Sequence, residues 1–453
     1  MVEIDENIDI FRKELSKLTN VLPERMKLIM KGKTIASDGK FSVDDVKYLN
    51  SSKPQIVMFG EASFIPIYEE DKDNKECKTL DESINSCSHN EEELFSFPCG
   101  LVNLGNNCYM NSVLQSIYAM VSSLNIQFPL CYENNSDTAL VLSLMELLEK
   151  MSISKKPLDD RQFFYAVHQR FPFFAERSQN GEFLQHDSNE LFIQLMNCLK
   201  SVIKYDNKNF IKQFFMGIFK KNIICLTTGE ENQTQEDFMY VPILLLEKSP
   251  GLQAAIGDNL KSTFTRRSAE FGEEVEFNVN LQFERLPAFL TINYLRFSYK
   301  DQTKRNCKIF RRLAFPFELD IIDYCTEELK KKFEFFRKKK FILNKTSSYN
   351  ITGSTGENVY SPIGMNDDFG CNNTGIYSLR AVITHKGRTT NSGHYVSWVR
   401  RSNVWFKCDD ANVSAVSEKD VAALAGGADS HLSYILFYSS TDLTDHGTFR
   451  FVS

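Results

Sequence analysis

The chain has 453 residues, with 53 Lys and Arg against 59 Asp and Glu, a formal net charge of -6, and 42% hydrophobic residues. That length suits two to three domains with large cores, and the acidic balance excludes the basic footprint of a nucleic-acid binder. No apolar run is long enough to span a bilayer, so neither a membrane nor a nucleic acid is expected as a partner.

The N-terminus, MVEIDENIDIF, lacks the basic-then-apolar pattern of a secretory signal. The 11 cysteines are scattered and include no CxxC pair. Free thiols in a reducing compartment, the cytoplasm and also the nucleus, are therefore expected, with no zinc site and no cofactor.

Residues 1–62 read as a small separate unit. Ile8, Phe11, Leu15 and Leu18 recur at helical spacing, and MKLIMKG and PQIVMFG read as short strands. A polar, charged stretch follows, so 63–95 is expected to be a flexible linker. The large domain spans 96–440, and 441–453 is a C-terminal tail. Its first half is helix-rich, through ALVLSLMELLEKM and SNELFIQLMNCLKSVI. Its second half is strand-rich, through FNVNLQFERLPAFLTINYLRFSY, YSLRAVITHKG, GHYVSWVRR, VWFKCDD and HLSYILFYSS. The Gly/Ser/Asn/Thr-rich segment 343–375 reads as a mobile surface insertion. The composite is an α+β chain.

Within GLVNLGNNCYMNSVLQSI, Cys108 stands where a polar, Gly-bearing turn becomes an apolar-periodic stretch of Met110, Val113, Leu114, Ile117, Met120 and Val121. This spacing predicts a helix with Cys108 in its first turn and Asn106 or Asn107 as its side-chain cap. The positive end of a helix dipole favours a thiolate, the nucleophilic form. A small apolar residue at a helix start would look the same, so the local pattern leaves both roles open.

A nucleophilic cysteine needs a base, commonly a histidine oriented by a third group. His394 opens a strand of Tyr, Val and Trp after a Thr-Asn-Ser-Gly segment, which suits a cleft. His385 ends another strand and is a weaker rival. His186 reads as a helix-boundary residue, and His89, His168, His431 and His446 lack a supporting setting. GHYVSWVRR and VWFKCDD flank a short polar stretch and predict a hairpin. A turn centred between Arg401 and Ser402 sets His394 directly opposite Asp409, with Cβ atoms roughly 4.5–5.5 Å apart. Asp410 would then point to the other face. A half-residue slip would bring Asp410 opposite instead, and Arg-Ser is not a typical tight-turn pair.

These three segments, GLVNLGNNCYMNSVLQSI, FLQHDSNELFIQLM and GHYVSWVRRSNVWFKCDDANVS, resemble the cysteine, central acidic and histidine boxes of ubiquitin-specific proteases, in that family's order. LPAFLTINYLRFSY and AGGADSHLSYILFYSS resemble two of its further strands. The chain is most similar to members that carry one N-terminal ubiquitin-like domain and associate with the proteasome. The resemblance implies a papain-like fingers-palm-thumb catalytic domain and an N-terminal β-grasp domain. A full ubiquitin-like fold opens with a two-strand hairpin, yet the helical pattern here begins near Ile8. The N-terminal domain is therefore expected to be truncated at its start, leaving PQIVMFG as an apolar edge.

The resemblance further implies Cys108 as nucleophile, His394 as general base and Asp409 as its orienter. It implies Asn103 as a side-chain donor of the oxyanion hole, with Asp410 as an auxiliary. DSNE reads by itself as a capping pattern, with Asp187 as N-cap and Glu190 three residues on. By resemblance the same carboxylates bind ubiquitin's arginine-bearing tail, and Gly393 leaves room for its terminal glycines. Segments near 300–306 and 388–392 are implied to be surface loops able to cover the cleft. The expected partners are ubiquitin, its conjugates and the 26S proteasome regulatory particle. Two alternatives stay open: a largely non-catalytic ubiquitin receptor regulating the proteasome, and a protease for another ubiquitin-like modifier.

Overall fold

The chain divides into two units, Met1–His89 and Asn90–Ser453. In the first, the computed structural model describes residues 8, 27–30, 33–35 and 56–59; in the second it describes 97–122, 136–159, 161–205, 208–246, 249–267, 272–300, 305–347, 368, 370–389, 392–401, 403–426 and 431–441.

The expected N-terminal strands form at β1 (Lys27–Met30) and β3 (Ile56–Phe59), joined by β2 (Lys33–Thr34) in an antiparallel sheet of order β2-β1-β3. Among the described residues β3 is an edge strand. Ile8 is helical and buried, and Leu28 is buried too. Phe11, Leu15 and Leu18, the linker and the tail beyond 441 lie outside the described residues.

The larger unit is built on helices α1 (Cys108–Val121), α2 (Ser136–Ile153), α3 (Arg161–Arg170) and α4 (Ser188–Val202). Helix α1 was expected to bury one face, but all of its residues are buried. It packs between α4 and the sheet, so its polar positions need internal partners. Gln115 donates to Cys99 O at 2.6 Å, and the Ser112 and Ser116 hydroxyls bond to carbonyls one turn back.

The strands of three or more residues, in chain order, are β4 (Gly217–Cys225), β5 (Glu231–Phe238), β6 (Val241–Ile243), β7 (Lys261–Arg267), β8 (Glu274–Arg285), β9 (Phe289–Tyr294), β10 (Phe297–Lys300), β11 (Arg305–Lys308), β12 (Glu318–Asp320), β13 (Ile376–Thr389), β14 (Ser392–Arg401), β15 (Val404–Asp409), β16 (Asn412–Val416) and β17 (Leu432–Ser440). The palm sheet runs β16-β15-β14-β13-β17-β9-β6, with β12 also on β13. Its central strands are covered on both faces. Ile435 and Phe437 of β17 join the core shared with α1, whereas Leu436 and Tyr438 join a second core on the other side. Successive side chains point to opposite faces, so such a doubly covered strand reads as an unbroken apolar run.

The finger sheet, β5-β4-β8-β7, is largely solvated: β5 is exposed except at Phe238, and β7 is exposed throughout. Phe264 and Phe277 are cross-strand partners with stacked rings 5.1 Å apart.

The segment 343–375 departs from the expected surface insertion. Its first residues, through Ser347, extend helix α5 (Glu327–Ser347). Its last ones are packed, with Cys371, Asn372 and Thr374 buried. Asn372 Oδ1 accepts from the backbone N–H of Thr374 and of Gly375, both at 2.8 Å, so the polar composition serves an internal turn. Residues 348–367 lie outside the described residues.

Arg296 is 0% exposed and ties the palm together. Its guanidinium donates to Ser433 O, to Ile309 O at 3.0 Å and to Arg311 O at 2.9 Å, joining the base of the β10–β11 hairpin to the start of β17. Arg296→Met leaves one buried and two partly buried carbonyls short of a donor, and is expected to cost about 3–5 kcal/mol. Urea unfolding checks this; a loss under about 1 kcal/mol would contradict it.

Candidate active site

Helix α1 begins at Cys108, which is buried. The Met110 N–H bonds to the N-cap Asn107 O at 2.9 Å, and the N–H groups before it have no preceding helical turn to accept them. Neither Asn106 nor Asn107 caps them with its side chain. Asn107 holds the N-cap position at φ -96 and ψ 19, outside the extended region that side-chain capping uses. Its Oδ1 accepts from Leu104 N at 2.7 Å instead. Asn106 is left-handed, with φ 53, and its Nδ2 donates to Phe183 O at 2.9 Å. Asn106 thus braces the loop, while Asn107 ties the loop to α1, its Nδ2 donating to Asn111 Oδ1 at 3.4 Å.

His394 lies on β14 and Asp409 ends β15. The hairpin pairs Arg401 with Val404 and Ser397 with Cys408. The register is therefore centred one residue later than expected, midway between the paired Arg401 and Val404. His394 and Asp409 are diagonal neighbours rather than direct opposites. The shift preserves the shared face, because the two strands slip by two residues relative to each other. The side chains still meet: His394 Nε2 is 2.6 Å from Asp409 Oδ1. Lys407 Nζ lies 2.9 Å from the other oxygen, Oδ2. These two partners, His394 first, hold the Asp409 carboxyl below the usual carboxylate range. Hydrogen bonds to Asp409 and then to Cys108 raise the His394 imidazole to about 10. With Nε2 engaged by Asp409, Nδ1 is the nitrogen left for the sulfur.

Asp410 stands beyond the end of β15, left-handed at φ 51, a conformation Asp tolerates better than most residues. It therefore escapes the strand alternation that would have sent it to the opposite face. Its Oδ2 accepts from Asn103 Nδ2 and its Oδ1 from Asn111 Nδ2, both at 2.8 Å. Its carbonyl accepts from Leu101 N at 2.9 Å. Gly100 permits this approach, since a Cβ there would sit 2.3 Å from Ala411 O. Asn103 is exposed beside the start of α1, and its Oδ1 accepts from Gly105 N at 2.9 Å. Asn111 was missed by sequence reasoning; its only signal is a polar residue inside the apolar-periodic stretch.

Asp187 is the N-cap of α4, accepting from Asn189 N at 2.7 Å. Tyr434 donates its hydroxyl to the other carboxylate oxygen at 2.7 Å. Burial raises the Asp187 carboxyl despite these bonds. Glu190 is exposed one turn further on. Gly393 has φ +140, and a Cβ there would lie 2.2 Å from Lys386 O and 2.6 Å from His385 Nε2. The chain itself therefore requires that glycine, beyond any room it leaves for a ligand.

The other histidines are placed differently. His385 is fully buried, and burial, with Lys308 adding to it, lowers it to about 3. Lys308 Nζ lies 3.0 Å from its Nδ1. His186 is wedged against Phe173, Phe174 and Tyr109. His431 lies beside His394, with ring centres 6.4 Å apart; burial lowers it to about 4, and it faces Thr384. His168 is buried between Phe164 and Phe183. His89 and His446 lie outside the described residues. His394, Asp409 and Asp410 also lie close enough to share a cation, but each has a hydrogen-bonding role already.

A thiol at a helix start, an imidazole on the facing strand and a carboxylate behind it form the constellation of acyl transfer through sulfur. Comparison with known proteins agrees. A family model described as ubiquitin carboxyl-terminal hydrolase matches residues 99–438. Ubiquitin carboxyl-terminal hydrolase 6 of Arabidopsis thaliana is 30% identical, over 97% of this chain and 96% of its own length. Ubiquitin carboxyl-terminal hydrolase 14 of Caenorhabditis elegans is 29% identical over 97% and 91%. Ubiquitin carboxyl-terminal hydrolase 6 of Schizosaccharomyces pombe is 28% identical over 98% and 96%. The chain belongs to the ubiquitin carboxyl-terminal hydrolase family and is a papain-like, cysteine-type deubiquitinase.

Proposed function

We propose that this deubiquitinase cleaves the isopeptide bond after the last glycine of ubiquitin, acting on conjugates at the 26S proteasome so that ubiquitin is trimmed and recycled. The observation that carries the chemistry is the His394–Asp409 bond of 2.6 Å beside Cys108. Cys108 thiolate attacks the carbonyl carbon of the terminal glycine. The tetrahedral oxyanion takes hydrogen bonds from the Cys108 N–H and the Asn103 amide, which Asp410 orients. His394 gives its proton to the departing lysine amine. A water that then loses a proton to His394 attacks the thioester and frees ubiquitin. Asp187, Glu190 and Gly393 border the tail's path.

Proteasome association is supported by the resemblance to members with an N-terminal ubiquitin-like domain, and by relatives matched over nearly their whole length. The N-terminal unit is the docking element in this reading, and the enzyme works in the cytoplasm and nucleus. Full-length protein mixed with purified proteasomes is expected to comigrate with them and to hydrolyse a ubiquitin C-terminal fluorogenic substrate faster. Separate migration with unchanged hydrolysis would refute the association. Faster hydrolysis of a ubiquitin-like modifier's substrate would refute the ubiquitin assignment.

His394 sets an expected pH dependence. It must be protonated to serve the amine, and its bonds to Asp409 and Cys108 raise it to about 10. The alkaline limb of kcat/KM is therefore expected at about 10, well above an ordinary histidine at ~6.5. The stability contribution has the same sign, full below the unfolded value and lost as pH rises through about 10. A falling limb at ordinary histidine values would contradict this.

A further inference from the structure

Gln185 lies just before the start of α4, in the stretch FLQHDSNE. Its side chain is buried, 7% exposed, and Nε2 stands 3.9 Å from Cys108 Sγ. Sulfur is large and polarisable, and an N–H donor at that range still senses its charge. The Tyr395 N–H reaches the same sulfur at 3.5 Å from the opposite wall. The residues after Gln185 fix its position. The His186 ring is held by Phe173 at 4.6 Å and Tyr109 at 5.7 Å, and Asp187 is tied to Tyr434. A buried carboxamide held beside a reactive sulfur meets no competing water, so its dipole counts for more than that of exposed Asn103.

We propose that Gln185 is a catalytic residue of this chain, donating a hydrogen bond through Nε2 to the Cys108 thiolate. The proposal rests on Cys108 being the nucleophile. The bond favours the charged sulfur before attack and again when water displaces it from the thioester. Other titratable groups surround this sulfur: His394 from β14 with Asp409 behind it on β15, Tyr395 from β14 and Tyr109 from α1, while Asp187 and Glu190 at the start of α4 act on those two tyrosines. The first turn of α1 carries no acidic residue.

The test uses the full chain with Gln185→Leu, Gln185→Glu and, in parallel, Asn103→Ala. Iodoacetamide is the probe, and Cys108 alkylation is followed by peptide mass spectrometry against pH. In Gln185→Leu the alkylation midpoint is expected to rise by about one unit, roughly tenfold less reaction below it. Gln185→Glu, nearly isosteric but unable to donate as a carboxylate, should shift it further. Asn103→Ala should leave the midpoint in place while lowering kcat. Unmoved midpoints in folded Gln185 variants would overturn the proposal. Unfolding of both variants would overturn it too, by making Gln185 a packing residue. A ubiquitin C-terminal electrophile on the wild-type chain keeps the two readings apart. If it labels another cysteine, the nucleophile assignment fails. If it labels Cys108 while the midpoints stay fixed, only Gln185's role fails.

Discussion

Cys108→Ala is expected to abolish ubiquitin hydrolysis, by a factor on the order of 10⁶, because the covalent route disappears altogether. The substitution removes one sulfur from the buried mouth of α1 and leaves the surrounding core in place. Ubiquitin binding should survive, since the α4 start, the palm edge and the fingers keep their geometry. The measurement is steady-state hydrolysis of a fluorogenic ubiquitin substrate, paired with calorimetric titration of ubiquitin. Electrophile labelling of the wild type should fall on Cys108. The other six described cysteines are also buried, at Cys99, Cys198, Cys225, Cys325, Cys371 and Cys408. Burial pushes the Cys198, Cys325 and Cys408 thiols up to about 12, which makes them poor competitors. A ubiquitin probe adduct on any of these would refute the assignment.

Asp409→Asn is expected to lower kcat by about 10²–10⁴, and more than Asp410→Asn does. Asp409 accepts from His394 Nε2, so it selects the ring tautomer that presents Nδ1 to the sulfur and it stabilises the imidazolium. An asparagine amide can offer an N–H there instead and favour the wrong tautomer. The alkaline limb of the pH profile should move down with it, a change that a packing defect would not produce. Asp410 acts one step away. It holds the amides of Asn103 and Asn111, both at 2.8 Å. Asp410→Asn keeps one acceptor oxygen and turns the other into a donor facing a donor. The expected loss is about 10-fold or more, through a misaligned oxyanion donor, with the pH limb unmoved. A larger loss in Asp410→Asn than in Asp409→Asn would mean that oxyanion alignment, not imidazole orientation, limits turnover.

Much of this protein was legible one residue at a time. The helix behind Cys108, the strands of the palm and the cap at Asp187 all follow from local rules: apolar spacing, unbroken apolar runs and Asx capping. The shared face of His394 and Asp409 was also local, since a strand period of two survives a shifted turn. Segments whose polarity served something non-local were harder. Strands β5 and β7, ENQTQEDF and KSTFTRR, are exposed on nearly every residue, so no apolar alternation marks them. They are strands because β4 and β8 offer them hydrogen-bonding edges. The turn ending at Gly375 looked like surface composition, yet its asparagine satisfies buried backbone.

Tertiary structure alone decided the inner shell of the site. Asp410 reaches Asn103 across 307 positions of sequence only because its backbone turns left-handed and Gly100 lets the two segments touch. Gln185 meets Cys108 across 77 positions, and Tyr395 N–H meets the same sulfur across 287. Sequence determines which groups can donate, accept or ionise. Which of them share a few ångströms is set by how the helical half docks on the palm sheet, through packing that no single segment encodes.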